Sequence, residues 1–111
     1  MTDCFKKLTE EYARYFTPDK IVEINESYVG WYNLIEWLLR SFAILNKYPR
    51  IKYIKEKYGS LDIFYFSHDE DVTALVNMAQ ERSLHACCKC GRYGVMRDLN
   101  GYHIPLCGEH K

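Results

Sequence analysis

No charge of one sign dominates this chain, and it has no long apolar run. Fifteen basic side chains are matched by fifteen acidic ones. That balance removes the electrostatic footprint of a general nucleic-acid binder, whose affinity comes from neutralising many phosphates, although it leaves room for a local basic patch. The most apolar stretch, Leu34 to Leu45, is interrupted by Glu36 and Arg40 and is too short to span a bilayer. Residues 1–30 hold no apolar run between a basic start and a small-residue cleavage site, so no targeting segment is expected. There is no internal repeat, low-complexity tract or flexible linker. Five cysteines, an odd count, fit a disulfide framework poorly. No His-x-Glu precedes a Pro-Cys-x-x-Cys, which excludes the zinc-deaminase pattern, and no Asp-His pair feeds a hairpin as an HNH-type nuclease requires. These absences predict a cytoplasmic, membrane-free, non-enzymatic protein in a reducing compartment.

Apolar residues make up 48% of the 111 and aromatics 15%, enough for one domain with its own core. Ten tyrosines are many for this length, and such residues pack their rings while presenting hydroxyls, as at binding surfaces. Phe5, Leu8, Tyr12 and Tyr15/Phe16 recur at helical steps and predict a helix over 3–16, with Thr2 or Asp3 as N-cap and Thr17-Pro18-Asp19 as terminator. Ile21 to Ile24 is short and ambiguous, with an extended conformation one reading. Gly30 opens a second helix, about 31–46, apolar nearly all round with a stripe of Asn33, Glu36 and Arg40, and Pro49 breaks it. β-branched and aromatic residues predict strands at 51–58 and 61–67 around a Tyr58-Gly59-Ser60 turn. Ser67-His68-Asp69-Glu70 reads as a capping box opening a third helix, about 69–84. The expected fold is α+β: three helices and a β-hairpin in a body over 1–84, then a small zinc ribbon over 85–111.

The last segment carries the strongest signal. Cys87 and Cys90 stand two residues apart, as do Cys107 and His110, and a two-residue spacer lets two ligands from one tight turn reach one ion. Between them, Tyr93 to Arg97 and Tyr102 to Leu106 flank Asn100-Gly101, a tight-turn signal, so two knuckles sit on one hairpin. The implied cofactor is a single structural Zn2+ held by Cys87, Cys90, Cys107 and His110. Rival readings use Cys88 for Cys87, His85 for His110, or a disulfide among these thiols. Four protein donors would leave no open position for a reactive water.

Residues 47–57 hold Lys47, Arg50, Lys52, Lys55 and Lys57 against Glu56, with Tyr48 and Tyr53 among them and Tyr58 following, while Asp62, Asp69, Glu70 and Asp71 make the next stretch acidic. Lysine beside tyrosine on a strand can contact phosphate and stack a base, and lysine also simply decorates edge strands. The candidate binding residues are Lys52, Tyr53, Lys55, Lys57 and Tyr58, extended by Arg92 and Arg97 if the ribbon packs on that side.

Gly30-Trp31, the stretch Ile54-Lys55-Glu56-Lys57-Tyr58-Gly59-Ser60-Leu61-Asp62-Ile63-Phe64-Tyr65, Glu81-Arg82-Ser83, Cys87-x-x-Cys90-Gly91 and Leu106-Cys107-x-x-His110 resemble a family of small uncharacterised bacterial and bacteriophage proteins. The resemblance covers about residues 30–110, and Tyr102 stands where tryptophan is expected. It implies a prokaryotic or phage origin and the same four metal ligands, and it brings no activity. With the small size and the charge polarity, it points to a zinc-stabilised binding module acting on a host or phage protein in the host cytoplasm, possible as an inhibitor of a host or defence system. Nucleic-acid or nucleotide binding through the Lys/Tyr hairpin and ribbon is the alternative, and a homodimer through the hairpin edge or a tyrosine-rich face is compatible with either.

Overall fold

A computed structural model describes residues 4–24 and 26–111. Helix α1 (Cys4–Glu11) buries Phe5 and Leu8 and turns Lys6, Lys7 and Glu10 to water. The N-cap expected at Thr2 or Asp3 lies outside the described residues. The helix expected over 3–16 ends at Glu11: a 3-10 turn at Ala13–Tyr15 redirects the chain into strand β1 (Phe16–Glu23). Pro18, expected to terminate a helix, therefore sits inside a strand. It is tolerated because β1 is an edge strand in the order β1-β2-β3 and its register shifts between Phe16 and Ile21, so a missing N–H need not break the ladder.

β1 also changes the status of the hairpin. Strand β2 (Arg50–Lys57) pairs parallel with β1 and antiparallel with β3 (Ser60–Phe66), so the lysine-rich strand is central and not an edge. Parallel pairing needs a long crossover, and α2 (Tyr32–Ile44) supplies it. That helix stops before Pro49: Asn46 adopts φ +58°, Asn46 N–H donates to Ala43 O and Lys47 N–H to Phe42 O. This is the left-handed helix end that satisfies the last carbonyls.

Helix α3 (Glu70–Ser83) is capped by Asp69, whose Oδ1 accepts from Asp71 N–H at 2.8 Å and Val72 N–H at 3.4 Å. Ser67, the expected cap, instead accepts from Asp69 N–H. Ile35, Leu38, Leu39 and Phe42 of α2, Val72, Val76 and Ala79 of α3, and Ile51, Ile54, Leu61 and Ile63 of the sheet form one buried cluster. The helices thus cover one sheet face. The outer edge of β3 is satisfied by side chains: Leu61 N–H donates to Ser83 Oγ at 2.9 Å, and Ile63 N–H to Gln80 Oε1 at 3.0 Å.

A second sheet pairs β4 (Val95–Leu99) with β5 (Tyr102–Leu106). The architecture is therefore α+β, with three α-helices and five strands among the described residues. Both hairpins close through paired left-handed residues, Tyr58-Gly59 and Asn100-Gly101, the turn geometry that matches strand twist. A tyrosine with positive φ is unusual and costs on the order of 1 kcal/mol.

Ser83 is fully buried, and Ser83→Ala strands the Leu61 N–H. The expected loss is about 1–3 kcal/mol, read as a lower urea midpoint at unchanged slope. An unchanged midpoint would mean that the serine does not hold the edge of β3.

Candidate metal centre

Each half of the centre is a tight turn. Cys87 N–H donates to Arg92 O and Gly91 N–H to Cys87 O, both at 2.8 Å, while Gly94 N–H returns to His85 O, so residues 85–87 run against 92–94. At the other end His110 N–H donates to Cys107 O. The β4–β5 hairpin carries the second turn back to the first.

Cys87, Cys90, Cys107 and His110 converge, with their ligand atoms all within 4.8 Å of one another. Cys90 Sγ lies 3.6 Å from Cys107 Sγ, and His110 Nδ1 lies 3.7 Å from Cys87 Sγ and 3.1 Å from Cys107 Sγ. A tetrahedral ion bound at about 2.3 Å to sulfur and about 2.0 Å to nitrogen sets edges of roughly 3.5–3.8 Å. The four donors are close enough to hold one metal ion. Cys87, Cys88, Cys90 and Cys107 form no disulfide.

The donors perturb one another's protonation. Burial works against the Cys87 thiolate, but backbone amides of Cys107, Lys89 and Cys90 outweigh it and bring its pKa down to about 6. Cys107 is also lowered: burial opposes, while His110 and the Glu109 amide favour the thiolate. Cys107 in turn raises His110. Cys90 is raised, because burial and the neighbouring thiols outweigh the Arg92 amide.

The rival ligands are elsewhere. Cys88 is fully buried, and burial pushes its thiol up to about 11. It serves through its backbone, N–H to Pro105 O and O from Gly30 N–H. His85 stacks on Tyr93 with centroids 5.9 Å apart.

The first turn is pressed onto the start of α2. Gly30 N–H donates to Cys88 O at 2.7 Å, and a Cβ on Gly30 would fall 2.2 Å from Cys87 O. Gly91, at φ +82°, faces it, and a Cβ there would fall 2.7 Å from Gly30 O. Beside this backbone contact the fully buried Trp31 donates its indole N–H to Ala86 O at 3.1 Å. The resemblance rests partly on Gly30-Trp31, yet nothing in their spacing announced this contact with residues 55 or more positions away.

The seven candidate binding residues are dispersed. Lys52 is ion-paired with Asp19 of β1. Tyr53 and Lys55 share the outer sheet face, with Lys55 Nζ 4.5 Å from the Tyr53 ring centroid. Lys57 lines a cleft with Asp62, Asn77 and Gln80, and Tyr58 lines another with Tyr102 and His103. Arg92 lies 3.6 Å from Glu109, near the metal ligands, and Arg97 lies in β4 opposite Ile104. The basic and acidic stretches are also folded together: Lys47 meets Asp69 at 2.7 Å and Asp71 at 3.7 Å. The charge separation seen along the sequence is thus partly cancelled in space.

Comparison with known proteins finds no matching family model, no matching curated protein and no matching solved structure. The molecule is defined by what it contains: an α+β body with a Cys3His cluster close enough to hold one metal ion. Among the described residues no helix is long and apolar enough to cross a membrane.

Gly30→Ala should force the first turn off α2 and cost about 3 kcal/mol or prevent folding. Gly108→Ala, where a Cβ meets nothing within 4 Å, should be neutral. Equal denaturation midpoints for the two variants would remove the Gly30 contact from the account of stability.

Proposed function

We propose that the centre holds one structural Zn2+ and that the chain is a non-enzymatic binding module whose partner is another protein. Three thiolates and an imidazole suit zinc. Four protein donors fill the tetrahedron and leave no place for a metal-bound water, the feature of catalytic zinc.

The observation that carries the binding reading is the uncovered face of the three-stranded sheet. Ile21, Phe64 and Phe66 are 38%, 46% and 56% exposed. Tyr53 lies between Ile21 and Phe64 in register, and the rings form a continuous row with centroids 5.5 Å (Tyr53–Phe64) and 5.4 Å (Phe64–Phe66) apart. Contiguous exposed aromatics of this kind mark interaction surfaces. The surrounding charges are mixed: Lys55 sits over Tyr53, Asp62 lies by its hydroxyl and Lys52 is held by Asp19. A mixed, partly neutralised rim suits a protein partner better than a phosphate backbone, which rewards unpaired cations. On the resemblance, the chain is phage-encoded and the partner is a host protein, inhibited by capture in the host cytoplasm.

The purified chain is expected to carry about one equivalent of zinc and to lose thermal stability on chelation. Acidification should release the metal, because its ligands must be deprotonated. Cys90 and His110, both raised above their ordinary values, take protons before Cys87, whose pKa is about 6. Metal-dependent stability is therefore present at neutral pH and lost as pH falls toward 5. Zinc far below one equivalent after metal-replete purification would defeat the assignment.

For the surface, tagged chain recovered from bacterial cells by cross-linking should retain a protein partner. Phe64→Asp/Phe66→Asp should lose it with zinc content and melting midpoint unchanged, while Lys55→Glu/Lys57→Glu should keep it. Recovery of nucleic acid whose affinity falls steeply with salt, and fails in the lysine variant, would replace the protein reading. Self-association seen by light scattering and lost in the phenylalanine variant would make the partner a second copy.

A further inference from the structure

The turns of the two hairpins meet over a cleft. Gly59 packs against the ribbon so closely that a Cβ there would lie 2.5 Å from His103 O. Beside this contact is a cleft of about 290 Å³ lined by Glu56, Tyr58, Gly101, Tyr102 and His103. Its walls come from both parts of the chain, the β2–β3 turn on one side and the β4–β5 turn on the other.

Three features of this cleft bear on what it could bind. Tyr58 adopts φ +53°, where the equivalent turn position of the other hairpin uses Asn100 at φ +55°. Asparagine tolerates that conformation and tyrosine resists it, yet Tyr58 is 78% exposed. Strain kept without packing gain is a signature of function. Tyr102, also lining the cleft, is 71% exposed. Glu56 is fixed through Oε2, which accepts from Gly59 N–H at 2.8 Å, and among the described residues no cation pairs with it.

We propose that this cleft binds a single organic cation, an alkylammonium or guanidinium group, between the Tyr58 and Tyr102 rings with its charge against Glu56. Aromatic faces attract such cations through the ring quadrupole, and a carboxylate adds charge complementarity. Lysine or arginine side chains and free amines share this chemistry. The site is independent of the sheet face, so its failure leaves the protein-binding reading intact. One wall belongs to the ribbon, so, resting on the zinc reading proposed above, metal loading would hold that wall in place.

The test is an amide NMR titration of the metal-loaded full chain with capped lysine, capped arginine, spermidine and the neutral capped norleucine. Saturable shifts at Gly59, Gly101 and His103 are expected for the cations and not for norleucine. Glu56→Gln keeps an acceptor for Gly59 N–H but removes the charge; Tyr58→Gly removes the ring and relieves the turn. Each should weaken cation binding at least about fivefold with the rest of the spectrum unchanged, and chelation should abolish it. Tighter binding of spermidine assigns the site to free amines, and tighter binding of the capped amino acids to protein side chains. No saturable shift, equal binding of norleucine, or undiminished binding in both variants would overturn the proposal.

Discussion

The contact of Gly30 with the first metal-binding turn is the constraint on which the rest depends. Two backbones meet there with no side chain between them: Gly30 N–H reaches Cys88 O at 2.7 Å, and Gly91 closes the other side. Trp31 then seals the junction by burying its indole and donating to Ala86 O. The next residues begin α2, the crossover that lets β1 pair parallel with β2. The metal centre is therefore tied directly to the segment that organises the sheet. Leu106, Cys87, Cys88 and Cys107 belong to the same buried cluster as the helices and strands of the body.

Adjacent cysteines illustrate how finely the turn sorts side chains. Cys87 directs its sulfur to the ligand cluster, where amides favour its thiolate, whereas Cys88 buries a neutral thiol in the core. One residue of slip would exchange them, placing a core thiol at the metal and a ligand in the apolar interior. The backbone bonds of Cys88 to Gly30 and Pro105 hold this register.

What was legible in the sequence follows from how local each signal is. The ligand spacing, the Asn100-Gly101 turn and the apolar period of α2 are contained in short windows, and the structure has all three. The cap of α3 was displaced by two residues because Ser67 and Asp69 both suit the role locally, and the aspartate reaches two helix amides. β1 was not legible. Its Thr-Pro-Asp resembles a helix stop, and only pairing with residues some thirty positions later makes it a strand. The ion pairs Lys47–Asp69 and Lys52–Asp19 were equally hidden, because they join acids and bases that the sequence keeps apart.

The side-chain cap on β3 bears on how this molecule can be recognised. Gln80 and Ser83 occupy the outward N–H groups of Ile63 and Leu61, and Pro18 denies a donor to the opposite edge strand. Recognition by strand addition, in which a partner's main chain extends a sheet whatever its sequence, needs those groups vacant. At these positions of the three-stranded sheet, recognition would instead have to read side chains on the sheet's face and at its turns. Such an interface can change its specificity by single substitutions, without altering the backbone that presents it.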